Sequence, residues 1–405
     1  MTDKANLVSG GVAGITVSAI KEMAMRAAKM DDVASLTWGL PSFRTPEGIR
    51  RAVERALESD PDIGKYTLPD GLPELRRAAA ENHRKATGAA VDPDGNVTIT
   101  AGNMEGVKTL LRSLLDPGDE VIVTDPGFAS HFIQIRLCGG ETVFWRLDEE
   151  AGWALDLEAL PKLVTNRTKA ILLVTPSNPT GRIFTEAELR AVGRLAAERG
   201  LLVILDDPYC HFTYENRERY FNLSSLPELA DHVAYLFTFS KCHAMSGWRL
   251  GYAVLPGWLK REVLKVHDAT MICAPRISQV AGLAALGGEQ DHLRDFEARL
   301  AKRREQICRR LDALPDIFEY VMPQGAYYVF PRILAEHENS YEFAIRLLQE
   351  AKVTVTPGSA FGPAGEGHVR MAFCVEEDVI DKAFDRIANW AGGRRRDTRR
   401  RAERK

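Results

Sequence analysis

The sequence predicts an α/β protein: a large domain with a mostly parallel seven-stranded sheet covered by helices, and a smaller α+β domain. Seven short apolar runs, at 97–100, 120–124, 141–146, 169–175, 201–206, 233–240 and 250–255, alternate with helical patterns such as 105–115, 157–164 and 186–199. Alternation of this kind builds a parallel sheet with helices on its faces. From about Pro275 the pattern changes to long charged helices, clearest from Arg294 to Arg310, then to short strands at 326–330, 353–356 and 368–373 and a last helix near 376–391. A chain of 405 residues exceeds one small core and suits two domains of about 100–200 residues each. The expected division is an N-terminal arm with part of the small domain at 1–45, the large domain at 46–285, the small domain at 286–392 and a basic disordered tail at 393–405.

Taken in chain order, these elements bring chemistry to strand ends. Thr98-Ile99-Thr100 passes through Ala101-Gly102 into a helix starting at Asn103-Met104. Unsatisfied N–H groups and the positive end of the dipole converge at such a start, which suits a phosphate. Asp125-Pro126-Gly127-Phe128 puts an aromatic ring just before the next helix. Ala170-Ile171-Leu172-Leu173-Val174-Thr175 leads to Ser177-Asn178-Pro179-Thr180-Gly181, delivering an amide at the carboxyl end of a strand, where open α/β sheets bind ligands. The same turn enters a helix whose start carries Thr185 and Glu188 at capping-box spacing. Leu201 to Leu205 reads as a buried strand ending in Asp206-Asp207-Pro208-Tyr209. Val233 to Phe237 leads into Thr238-Phe239-Ser240-Lys241, with Arg249 eight residues beyond the lysine. A lysine held on a rigid element and partly desolvated is in part neutral and nucleophilic, as imine formation with an aldehyde cofactor requires. The Arg249 guanidinium, with the hydroxyls of Thr238 and Ser240, suits a phosphate. His368-Val369-Arg370-Met371-Ala372-Phe373 alternates around an arginine. A charge inside an apolar strand is costly unless paired, so Arg370 should meet a protein acid or an incoming carboxylate.

Together, and in this order, these segments resemble the class I/II aminotransferases, fold-type I enzymes that use pyridoxal 5′-phosphate. The resemblance implies that Lys241 holds the cofactor as an imine and moves the proton of the substrate's Cα. It also implies that Asp206 keeps the pyridine nitrogen protonated, that Tyr209 and Asn178 bond the phenolic oxygen, and that Phe128 stacks on the ring. Implied phosphate contacts are the amides of Asn103 and Met104 together with Thr238, Ser240 and Arg249. Arg370, Asn178 and the backbone of Gly39, in Trp38-Gly39-Leu40-Pro41, are implied to hold the substrate carboxylate. Tyr66, in Lys65-Tyr66-Thr67-Leu68-Pro69-Asp70-Gly71, matches a tyrosine that reaches a phosphate in the partner subunit, which implies a homodimer with shared active sites. The chain departs from the family pattern at Asp207-Pro208, where glutamate more often follows the aspartate, and at Met104, where a hydroxyl or small residue is common. The implied activity is ping-pong transfer of an amino group between an L-amino acid and a 2-oxo acid. Elimination or cyclisation, β-lyase chemistry and oxidation on the same scaffold stay open, as does a non-catalytic binding protein that kept the fold.

Composition agrees. A hydrophobic share of 45% with 27% charged residues belongs to soluble globular proteins. A net charge of −3 offers no general attraction to nucleic acid or to an anionic membrane. The six cysteines form no CxxC pair, so neither a metal site nor a disulfide framework is indicated, and a reducing cytoplasm is expected. The start lacks a signal-peptide layout, and no apolar run approaches the ~20 residues that span a bilayer. The arginine-rich end is expected to be solvated and disordered; it has no aromatic residue for base stacking, and electrostatic contact with nucleic acid or an acidic partner is the alternative. Side-chain specificity is expected to draw on residues including Ile15, Thr16, Arg44 and Ser359. Arg44 either pairs with a distal carboxylate or stands exposed before a helix start at Pro46. His131, His211 and His243 lie near the proposed site segments, as substrate contacts or as hydrogen-bonded packing residues.

Overall fold

The computed structural model describes residues 7–15 and 18–402, with side chains described as far as residue 393. Its main sheet contains β1 (Val97–Thr100), β2 (Glu120–Asp125), β3 (Glu141–Asp148), β4 (Ala154–Leu155), β5 (Thr168–Val174), β6 (Leu202–Asp206), β7 (Val233–Thr238) and β8 (Gly251–Val254). The spatial order is β1-β8-β7-β6-β5-β2-β3-β4. From β7 to β3 the pairing is parallel; β8 runs antiparallel to both neighbours. All seven predicted runs are strands. The sheet gains an eighth, β4, which pairs antiparallel with β3 through Leu155 and Ala154 and is too short to show a period. The central β6 and β7 are buried at every position, which is why they read as continuous apolar runs rather than alternating ones.

Helices cover the sheet. Asn103–Leu114 packs with Gly257–Met271, and Arg276–Gly287 packs on Glu47–Ser59 and Pro73–Thr87. Glu186–Arg199 has the predicted bounds because its ends are chemically marked: Thr185 and Glu188 form a reciprocal capping box, and Gly200 closes it in the left-handed region. The helix expected at 157–164 contracts to Leu160–Leu163. The Asp156 carboxylate accepts from the N–H groups of Glu158 and Ala159 and its carbonyl accepts from the Leu160 N–H, so Asp156 caps the turn that leads into this short helix.

Beyond Gly287 a second layer forms. Val369–Ala372 lies between Tyr328–Val329 and Thr356–Pro357 in an antiparallel sheet, packed with helices Asp291–Asp312, Ser340–Ala351 and Glu377–Ala402. Ala34–Ser35 pairs in parallel with Val353–Thr354, and the Ser42 N–H donates to the Cys374 carbonyl, so the N-terminal segment is tied to this layer. The last helix continues through Gly392 and Gly393 to Ala402, where composition predicts a disordered tail. Arginine is a good helix former and no proline interrupts the run; residues 403–405 lie outside those described. Among the described residues no helix is long and apolar enough to cross a membrane.

Two adjacent acids follow from β6, and successive side chains leave a strand on opposite faces. Asp206 meets Asn103 and His131, whereas Asp207 accepts from the Tyr220 hydroxyl. Burial pushes the Asp207 carboxyl up to about 7. An unfolded aspartate titrates near ~3.9, so between these values the folded chain binds the extra proton and stability falls as pH rises. Denaturant midpoints are expected to drop from about pH 5 to about pH 8, and to drop less in Asp207→Asn. Equal slopes in the two proteins would remove Asp207 as the source.

Candidate active site

A cavity of about 240 Å³ opens where β5, β6 and β7 end, with Val174, Asp206 and Thr238 in its wall. Gly39, Asn103, Met104, Phe128, Asn178, Asp206, Tyr209, Thr238, Ser240, Lys241, Arg249 and Arg370 all line it. Tyr66 does not: it stands 74% exposed on the surface.

Lys241 sits on the short helix Phe239–Cys242, opened by Thr238, whose side chain accepts from the Ser240 N–H. Its Nζ donates to the Gly39 carbonyl at 2.7 Å. The Tyr327 hydroxyl donates to the same carbonyl at 3.1 Å. Burial pushes the Lys241 amine down to about 8, so a useful fraction is neutral near physiological pH.

At one end of the cavity, helix Asn103–Leu114 starts behind Gly102, which has φ +81°. A Cβ at Gly102 would come within 2.8 Å of Arg249 Nη2, so only glycine lets this helix start approach the guanidinium. Arg249 Nη1 donates to the Ser246 carbonyl at 2.8 Å, and the hydroxyls of Thr238 and Ser240 are 3.0 Å apart. Helix-start amides, two hydroxyls and a guanidinium make an anion cradle.

On another wall, Asp206 is 5% exposed. Its Oδ1 accepts from Asn103 Nδ2 at 2.7 Å and its Oδ2 lies 3.1 Å from His131 Nε2. Phe128 meets the His131 ring edge-on, 5.1 Å between centroids. Asn103 thus contributes a side-chain bond to the acid, in addition to the backbone position expected from sequence.

Arg370, from the middle strand of the second layer, is 2% exposed. It donates from Nη1 to Asn178 Oδ1 at 3.0 Å and from Nη2 to the Thr37 carbonyl at 2.6 Å, while Nε has no partner. Its guanidinium lies 4.4 Å from the centroid of the Tyr328 ring. Among the described residues no carboxylate pairs with it, so its charge is held by neutral acceptors and an aromatic face. Tyr209 and Tyr328 hydroxyls are 3.0 Å apart, and burial holds the Tyr209 phenol well above its ordinary value, leaving it protonated as a donor.

Tyr327 and Tyr328 were not singled out from sequence; alternation in a predicted strand at 326–330 puts one of them inward, but only the register Tyr328↔Ala372 says which faces Arg370. Of the three histidines, His131 joins Asp206. His243 Nδ1 instead lies 2.9 Å from His292 Nε2, and His211 packs edge-on against Phe237. Ile15 and Ser359 line a separate cavity of about 840 Å³, Arg44 is exposed ahead of helix Glu47–Ser59, and Thr16 lies outside the described residues.

The donor set fits a phosphorylated aromatic aldehyde with a basic ring nitrogen: an anion cradle, a partly neutral lysine and a buried carboxylate share one cavity. Arg370, which lines the cavity with no protein acid beside it among the described residues, adds a buried positive charge suited to a carboxylate.

Comparison with known proteins places nearly the whole chain in a family. Residues 31–387 match the family model described as aminotransferase class I and II. The aspartate aminotransferase of Pyrococcus horikoshii is 36% identical over 372 residues, 91% of this chain and 93% of that protein. Aromatic-amino-acid aminotransferase 2 of Thermococcus litoralis is 32% identical over 375 residues, 92% of this chain and 95% of that one. The solved structure of Thermus thermophilus aspartate aminotransferase with maleate has a TM-score of 0.89 at 33% identity, covering 95% of this chain and 99% of that chain. With sequence and fold matched over nearly its whole length, the protein belongs to the class I and II aminotransferase family.

Proposed function

We propose that the protein is a pyridoxal-phosphate-dependent aminotransferase that exchanges an amino group between an L-amino acid and a 2-oxo acid in a ping-pong sequence. The observation that carries this reading is the convergence of Lys241, Asp206 and Arg370 on one cavity in a chain of this family. Lys241 would hold the cofactor covalently, with Arg249, Thr238, Ser240 and the helix start at Asn103 and Met104 around its phosphate, Phe128 on its ring, and Tyr209 and Asn178 at its phenolic oxygen. When bound, pyridoxal phosphate supplies an aldehyde that carries the amino group and a protonated ring that takes up the electron pair left at Cα.

The chain's own residues do the rest. Arg370 and Asn178 bind the α-carboxylate, with the Gly39 backbone beside it, and so fix how the Cα–H bond points. Lys241 Nζ, once free, takes the Cα proton; burial suits it to this, since an ordinary lysine would stay charged at neutral pH. Asp206, which lines the same cavity, would hold a proton on the ring nitrogen. Tyr209, kept protonated, donates a hydrogen bond. Residues 46–285 would form the large cofactor domain and 286–392 the small domain that brings Arg370. A homodimer is the working unit: exposed Tyr66 and Leu68 stand beside exposed Met271 and Ile272, because the Thr67 N–H reaches Cys273 Sγ, and this apolar patch would seat a second copy whose site Tyr66 completes. The cytoplasm is the proposed compartment.

Purified protein loaded with the cofactor should show a visible absorption band that bleaches on adding an amino acid without an oxo acid, with stoichiometric oxo acid released. Aspartate and the aromatic amino acids are the first donors to test, since the relatives carry those names. A band that persists with every donor, or bleaching without oxo acid, would favour elimination or oxidation; no band after adding the cofactor would overturn the reading. Lys241→Ala is expected to abolish both band and turnover. The wild-type rate of cofactor uptake should rise with pH as the Lys241 ammonium loses its proton and level off above about 8. Arg370→Leu is expected to raise KM for the amino donor roughly ten- to hundredfold, the range of a charged hydrogen bond, while the visible band survives.

A further inference from the structure

Asn103 opens its helix, yet it does not cap it: Gly102 is the N-cap residue and no side-chain cap bond forms. The usual reason for an asparagine at a helix start is therefore absent. The side chain instead points across the cavity, where Nδ2 donates to Asp206 Oδ1 at 2.7 Å. A carboxylate only accepts, so chemistry fixes which end of the amide faces it. The other Asp206 oxygen is held by His131 at 3.1 Å, so each oxygen is gripped from a different helix. Space for the amide comes from β8. A Cβ at Gly251 would approach Asn103 Oδ1 to 2.8 Å, and that oxygen has no partner of its own. A buried amide left half-satisfied is a cost, tolerated here where its other end grips the acid.

We infer that Asn103 is a positioning residue that aims Asp206 at the cofactor's ring nitrogen and, through its own backbone at the helix start, sets that acid in register with the phosphate cradle. The inference rests on the pyridoxal-phosphate reading and adds to it a residue whose side chain acts through Asp206. A residue that only supports the helix start would serve the phosphate and be blind to the ring nitrogen. One that acts through Asp206 must matter only when that nitrogen is present.

The test is equilibrium binding to the full-length apo-protein of pyridoxal phosphate and of its analogue with carbon in place of the ring nitrogen. Asn103→Ala is expected to weaken pyridoxal phosphate roughly ten- to hundredfold, the range for a hydrogen bond to a charged group, and to leave the carbon analogue nearly unchanged. In an Asp206→Ala background the same substitution should have no further effect, because the two residues act as one unit. Asn103→Asp, nearly isosteric, sets like charges face to face and should weaken pyridoxal phosphate at least as much as Asn103→Ala; it serves as the second variant should alanine disturb folding. Equal losses for both ligands, or losses that add to those of Asp206→Ala, would overturn the inference and leave Asn103 a structural residue. Failure of the wild-type protein to bind pyridoxal phosphate would instead overturn the functional reading on which the inference stands.

Discussion

The hydrogen bond from Lys241 Nζ to the Gly39 carbonyl joins parts of the chain that fold into different layers. Lys241 follows β7 of the large sheet, while Gly39 belongs to the N-terminal segment tied to the second layer through Ala34–Ser35. The amine is desolvated because the second layer closes over it. That same desolvation lowers its basicity, and lowered basicity lets a lysine act as nucleophile and base at neutral pH. Without the second layer the amine would be an ordinary solvated ammonium. Its reactivity is thus a property of how two layers meet.

Other contacts across the same boundary follow this constraint. Arg370 comes from the middle strand of the second layer and reaches Asn178, at the end of β5. Tyr328 comes from an adjoining strand and meets Tyr209 beyond β6. A Cβ at Gly39 would lie 1.9 Å from the Tyr328 hydroxyl, so the absence of a side chain there lets the N-terminal segment and the tyrosine share the space. Arg370 is held by neutral acceptors and by the face of Tyr328 rather than by a protein acid. A buried charge in this setting is unfinished, and a substrate carboxylate is the group that would complete it.

Within the large sheet the logic is more local. Parallel strands end together, and the groups after β5, β6 and β7 are delivered to one edge, as open α/β sheets do. Gly102 and Gly251 act as spacers at that edge: one lets a helix start approach Arg249, the other leaves room for the Asn103 amide. Asp206 and Asp207 show how alternation separates roles, one acid entering the cavity and the other a tyrosine-bonded interior.

Most of the fold was legible in the sequence because the signals are local. Seven strands were visible as apolar runs, and the Thr185–Glu188 box and Gly200 marked one helix to the residue. The two-residue β4 carried no period, the 157–164 helix contracted to Leu160–Leu163, and the arginine-rich end continued a helix because its residues favour one and no proline breaks it. The site followed the same division. Lys241, Asp206, Asn178, Arg249 and Arg370 sit in segments whose order and residue types resemble a known family, so their identity was available from sequence. Sequence therefore determined most of the strands and, through a family resemblance, which residues to expect at the cavity. Tertiary structure decided that Asn103 turns its side chain to Asp206, that His131 joins it while His243 pairs with His292, and that Tyr328 faces Arg370. The physical reason is that orientation, desolvation and pairing depend on neighbours far apart in the chain, 103 residues for Asn103 and Asp206, 75 for His131 and Asp206 and 49 for His243 and His292, and these meet only once the layers pack.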